Sequence, residues 1–241
     1  MSIPPVVSDG GAPRRDSRRA EILVAFTRAV AERGYDGTNF GDLAAELGIS
    51  KGTIVHHFGT KDAMLRELHE GYMRRRLAEV GAVWQRLTAP ADRLAAFVHL
   101  GVRYQVVDRE ATVAFQREVL RFAAEPDMET SQALRHEYRE LVERVLADGT
   151  AAGVFRRGDD RLRTLQLFGS VHWMWTWFSP DGPQPVEAVA ASFVESFLTG
   201  VLVDPSGATV LADPAGPVAR AVGAVLGPAG TLDGDPRSTA S

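Results

Sequence analysis

Residues 48–65 read GISKGTIVHHFGTKDAML. Gly48 ends one apolar-striped segment, and Ser50 is placed to cap a short helix from Lys51 to His57. Ile54 and Phe58 stand four residues apart, a minimal apolar anchor on the inner side. The outer side carries small or hydrogen-bonding groups. Gly52 lets the backbone approach a surface closely, and the helix start presents free N–H groups to an anion. Lys51 and Thr53 reach base edges or phosphates, while His56 and His57 reach phosphates. Lys61, at the start of the next helix behind a Thr60 cap, adds a cationic anchor. These residues make a DNA-facing surface.

Working outward toward the N-terminus, Ile22, Leu23, Phe26, Ala29 and Val30 recur at helical spacing and Gly34 ends that helix. Thr38 or Asn39 caps a second helix, about Phe40 to Leu47, striped by Phe40, Leu43, Ala44 and Leu47. Residues 40–58 therefore form helix, glycine-containing turn, helix, the helix-turn-helix unit. Arg14, Arg15, Arg18 and Arg19 give the first helix a basic lead.

Other chemistries fail on spacing. Adjacent helical residues point about 100° apart, so His56 and His57 are poorly placed to chelate one metal ion. His69-Glu70 and His136-Glu137 begin an H-E-x-x-H pattern, but Met73 and Glu140 stand where its second histidine belongs. Phosphate-loop, nucleophile-elbow and dinucleotide motifs do not occur. No catalytic residue, metal or cofactor is expected.

Toward the C-terminus the helical patterns cover about 61–87, 90–108, 111–124, 131–152, 161–178 and 186–203, without sustained strand-like alternation. An all-α fold follows. The division expected is a disordered arm over 1–13, a helix-turn-helix domain over 14–62, a ligand-binding and dimerisation domain over 63–203, and a mostly flexible tail over 204–241. That tail is rich in Gly, Pro and Ala, with one weak helical stretch near Pro217 to Leu226.

Composition sets outer bounds. The 241 residues are 45% hydrophobic and 24% charged, ordinary for a globular chain, and the net charge of −4 does not forbid one basic face. The absence of cysteine excludes disulfides, thiolate metal sites and thiol catalysis. The start lacks a signal-peptide pattern and no apolar run is long enough for a membrane span, so a cytoplasmic protein is expected.

With these residues in place, the stretch 14–65 resembles the DNA-binding domain of the TetR family of transcriptional regulators. The resemblance rests on Ile22-Leu23, Phe26, Gly34-Tyr35, Thr38, Leu43-Ala44-Ala45, Gly48 to Ile54, His56-His57-Phe58 and Lys61. Two positions depart from it. Val55 stands where the family usually has a tyrosine that touches the DNA backbone, which leaves open an apolar contact to a thymine methyl. Asn39 replaces the commoner second threonine, and both residue types cap and bind phosphate. The resemblance implies an all-α homodimer on a palindromic double-stranded operator, a repressor released by a small apolar effector, with residues 161–203 packing against the partner. An activator of the same fold, or a helical carrier without DNA specificity, are the alternatives.

The effector end is expected around aromatic residues Phe97, Tyr104, Phe115, Phe122, Trp173 and Trp177. Residues 170–183, SVHWMWTWFSPDGP, read as a helix apolar on nearly all sides and hence buried from every direction. They also resemble the end of the penultimate helix in acyl-CoA-sensing branches of the family.

Overall fold

The computed structural model describes residues 12–119, 121 and 128–227, the side chains of 12–15 excepted. Among these the chain is all-α, as expected. A first cluster of helices comprises α1 (Ala12–Arg33), α2 (Phe40–Glu46), α3 (Lys51–Phe58) and the start of α4 (Lys61–Trp84). The larger domain continues with α5 (Pro90–Val107), α6 (Arg109–Glu118), α7 (Glu129–Ala151), α8 (Asp160–His172), α9 (Val186–Val201), α10 (Gly207–Ala212) and α11 (Pro217–Leu226).

Local chemistry sets the helix ends. Gly34 adopts φ 77° after α1 and donates its N–H to Val30 O at 2.9 Å. Asn39 Oδ1 accepts from Gly41 N and Asp42 N at the start of α2. Ser50 Oγ accepts from Thr53 N at 3.1 Å, and Thr60 Oγ1 from Ala63 N at 3.1 Å. Each cap satisfies donors that a helix start leaves unpaired. Ile22, Phe26, Val30, Leu43, Ile54, Phe58, Met64 and Leu65 then close one core beneath α1–α3, which fixes the direction in which α3 presents its outer face.

The second core centres on α5, where every residue from Leu94 to Leu100 is buried. Helices α7, α8, α9 and α11 pack around it. Phe155 pairs in an isolated bridge with Leu202, pinning the end of α9 to the loop after α7.

Two expectations need correction here. The segment expected to be a flexible tail is folded from 207 to 226. Val218 and Val222 are buried in the α5 core, His99 Nε2 lies 3.2 Å from Leu211 O, and Arg103 Nη2 donates to Gly227 O at 3.3 Å. The helical stretch expected near Pro217 to Leu226 is α11, and its stripe at Val218, Ala221, Val222 and Val225 packs on the core rather than being mobile. Residues 228–241 and 1–11 lie outside the described residues. Val222→Ala should lower unfolding stability by about 2 kcal/mol, while Val210→Ala, at a residue that is 67% exposed, should change it by no more than about 0.5 kcal/mol in the same denaturant titration.

The second correction concerns 161–178. The α-helix stops at His172, and Trp173–Thr176 tighten into a 3₁₀ turn. Met174 and Phe178 point into the core with Val102, Val189 and Ala190, but Trp173 and Trp177 are 65% and 53% exposed. Tightening the turn moves alternate aromatics out of register with a 3.6-residue repeat, so the segment is not buried on all sides in one chain.

Candidate nucleic-acid interface and internal cavity

On α3 the exposed residues are Lys51, Gly52, Val55 and His56, with Thr53 and His57 half-buried at the edges. Thr53 Oγ1 lies 3.0 Å from Ser50 Oγ, and the rings of His56 and His57 meet edge-on at 5.6 Å. The Lys51 side chain lies across α2: a Cβ built on Gly41 would be 3.1 Å from Lys51 Cε and 3.0 Å from Asn39 Oδ1. Lys51 and Asn39 thus share the junction between α2 and α3, where a phosphate group would meet a cation and helix-start N–H groups together.

Two expected DNA contacts are occupied inside the chain. Thr38 is fully buried and its hydroxyl donates to Gly34 O at 2.9 Å, so it stabilises the α1–α2 turn. Lys61 Nζ donates to Tyr35 O at 2.9 Å and Thr38 O at 2.8 Å, and sits 3.9 Å above the Tyr35 ring. The turn leaves two carbonyls turned toward α4, and a cation at the start of α4 satisfies both. Lys61→Met should therefore cost about 1–2 kcal/mol in unfolding stability, from lost charge-assisted hydrogen bonds. A lysine free to anchor phosphate would instead leave stability alone and weaken binding to all DNA sequences alike.

The larger domain encloses a cavity of about 460 Å³ among α4, α5, α6, α7 and α8. Phe97, Tyr104 and Phe115 line it, joined by Tyr72, Tyr138 and Phe168. Phe122 lies outside the described residues, and Trp173 and Trp177 do not line the cavity; they face outward. The rings interlock: Tyr72 stacks on Phe115 at 4.5 Å and Tyr138 on Phe168 at 5.8 Å. Gln132, Arg135, His136 and Arg139, on one face of α7, bring the polar groups to its exposed side.

Sequence reasoning missed Arg76. It is 3% exposed on α4, pairs with Glu79 at 3.0 Å and Asp108 at 3.1 Å, and lies 3.8 Å from the Tyr104 ring centre. Burial raises the Glu79 carboxyl above its ordinary value while the Arg76 charge pulls it back. The nearby His172 ring stacks on Phe168 at 5.3 Å, and burial lowers it to about 4. A histidine held neutral this way contributes stability that is present above about pH 6.5 and lost as pH falls toward 4. His172→Phe should accordingly flatten the fall of thermal midpoint between pH 6.5 and 4.5 relative to the parent.

One helix touches both regions. Phe115, Gln116 and Val119, at and just past the end of α6, line the cavity. Between them, Glu118 Oε1 accepts the Tyr35 N–H at 2.8 Å, and Arg117 Nη1 donates to Ala31 O and Glu32 O at the end of α1. The end of α6 therefore joins the cavity wall to the end of α1 and the turn that precedes α2.

Comparison with known proteins gives a consistent picture. The family model described as bacterial regulatory proteins, tetR family, matches residues 22–68, and that of the tetracyclin repressor-like C-terminal domain matches 87–201. The chain is similar to the HTH-type transcriptional repressor KstR2 of Mycobacterium tuberculosis, 26% identical over 194 residues, 80% of this chain and 97% of that relative. The structure of that ketosteroid transcriptional regulator superposes with TM-score 0.72 over 78% of this chain and 97% of its own. PfmR, a TetR family transcriptional regulator from Thermus thermophilus, is 30% identical, with TM-score 0.65, over 74% of this chain and 97% of its own. AibR, solved in complex with isovaleryl coenzyme A and operator DNA, shares the fold at 23% identity and TM-score 0.68, over 74% of this chain and 97% of its own.

Proposed function

The chain belongs to the TetR family of DNA-binding transcriptional regulators, and we propose that it is a homodimeric repressor released from its operator by an apolar effector. The observation that carries this reading is α6, whose residues alternate between the cavity wall and the latch on Tyr35. A molecule that filled the cavity would press on Phe115 and Gln116 and displace Glu118 and Arg117 with them. The domains carrying α3 would then no longer stand one helical turn apart, about 34–36 Å, as two half-sites require. Couplings of this kind are typically worth about 1–3 kcal/mol.

Dimerisation over residues 161–203 is supported by exposed apolar side chains on and after α8: Leu162, Leu165, Trp173 and Trp177. A second copy of the chain would cover them. Within our reading, residues 14–62 form the reading head and 63–203 the effector and dimerisation domain, extended by α10 and α11. No helix among the described residues is long and apolar enough to cross a membrane.

For the effector we favour an acyl-CoA thioester. The aromatic cavity suits an acyl chain, and Arg135 and Arg139 on its exposed side suit the phosphates. Arg76 Nη1, buried without a hydrogen-bond partner, offers a donor to an effector oxygen. Arg103, Arg117 and Arg121 do not line the cavity and hold Gly227 O, the end of α1, and Asp36 with Glu118 respectively. A chain-length series of acyl-CoAs titrated into the labelled operator complex tests this. At one chain length release should occur with a 5- to 150-fold loss of DNA affinity. Calorimetry without binding across the series would remove acyl-CoA as the effector class.

A further inference from the structure

Val55 occupies the middle of the exposed face of α3, one turn after Lys51 and directly before His56, and is 48% exposed. A β-branched residue gains nothing at a solvent-facing helix position, where it loses side-chain freedom against the preceding turn. Gly52, three residues earlier on the same face, carries no side chain to cover the two Val55 methyl groups. No broad apolar patch surrounds them: the neighbours on α3 are Lys51 and His56. A protein partner, which needs a contiguous apolar surface, is therefore a poor fit. In the major groove the apolar group on a base edge is the C5-methyl of thymine. Resting on the repressor reading above, we propose that Val55 is a specificity-determining residue that packs on the C5-methyl of one thymine in each half-site. The operator then carries a T·A pair opposite the middle of α3, and cytosine there is disfavoured.

The test removes that methyl and nothing else. An operator is selected from a pool of random duplexes, and its thymines are replaced singly by deoxyuridine, which keeps every hydrogen-bonding group. Loss of one buried methyl predicts binding about fourfold weaker for one half-site and about fifteenfold weaker for both. Val55→Ala, at an exposed position that should not disturb folding, is expected to bind the parent-selected site with the same salt slope, a relaxed preference at that one base pair and a reduced penalty for the deoxyuridine substitution. Undiminished binding at every deoxyuridine position overturns the proposal, and so does an equal penalty in the alanine variant. A protein that selects no duplex over random DNA overturns the repressor reading itself, a different and separately visible failure.

Discussion

Arg76→Leu should lower unfolding stability by about 3–5 kcal/mol and the thermal midpoint by on the order of 10 °C. The native pair is not valuable because ion pairs are strong. Two charges taken out of water do little better than break even against apolar residues, but removing one partner leaves the other buried and unpaired. Here Glu79, whose side chain is 23% exposed, is stranded, and Asp108, 25% exposed, keeps only the half-exposed Arg75. The pH dependence fixes the cause. Without Arg76, burial at Glu79 loses its largest opponent, so the folded state binds that proton more tightly than the unfolded chain does. Stability is then regained as pH falls from 7 toward the unfolded carboxylate value of about 4.3. The gap between variant and parent should narrow between pH 7 and pH 5. Arg75, half exposed and paired with Asp108 at 3.2 Å, is the control, and its alanine variant should lose about 0–1 kcal/mol. Equal losses at both positions would mean that burial of Arg76 does not matter.

Gly52→Ala should move stability and DNA affinity in opposite directions. The glycine lies within α3, and a Cβ built there meets only Ser50 Oγ at an ordinary 3.5 Å. Its backbone is also outside the left-handed region that favours glycine. The fold therefore gains nothing from its absence of a side chain, and alanine should stabilise the helix by about 0.5 kcal/mol. Operator affinity should nonetheless fall by about tenfold or more, because a methyl group would stand where the DNA surface must approach closely. Chemical denaturation and an anisotropy titration on the same two proteins read both numbers. Unchanged affinity would place α3 away from the groove.

The reading head was legible in the sequence because its structure is local. Asn39, Ser50 and Thr60 cap their own helices, Gly34, Gly48 and Gly59 hold positive φ, and Ile54 and Phe58 anchor α3 as spacing required. What was not legible depended on distant partners. Lys61 and Thr38 have the chemistry of phosphate ligands, yet carbonyls of the α1–α2 turn reach them first. Arg76 looked like any charge on α4 until Asp108 and the ring of Tyr104, some thirty residues on, closed around it. Trp173 and Trp177 read as cavity or core, and a change from α to 3₁₀ turned them outward. In α10 and α11 the Gly and Pro content outweighed a short valine stripe, whose worth depends on the α5 surface it covers.

The most direct test of the regulator itself is a fluorescence-anisotropy titration. Purified protein is titrated against the DNA flanking its own gene and against a random duplex, at several salt concentrations. Binding to one flanking segment should be tighter than to the random duplex by about a thousandfold or more, with a steep salt slope. Weak binding, equal on both duplexes and equally unaffected by Gly52→Ala, would contradict it.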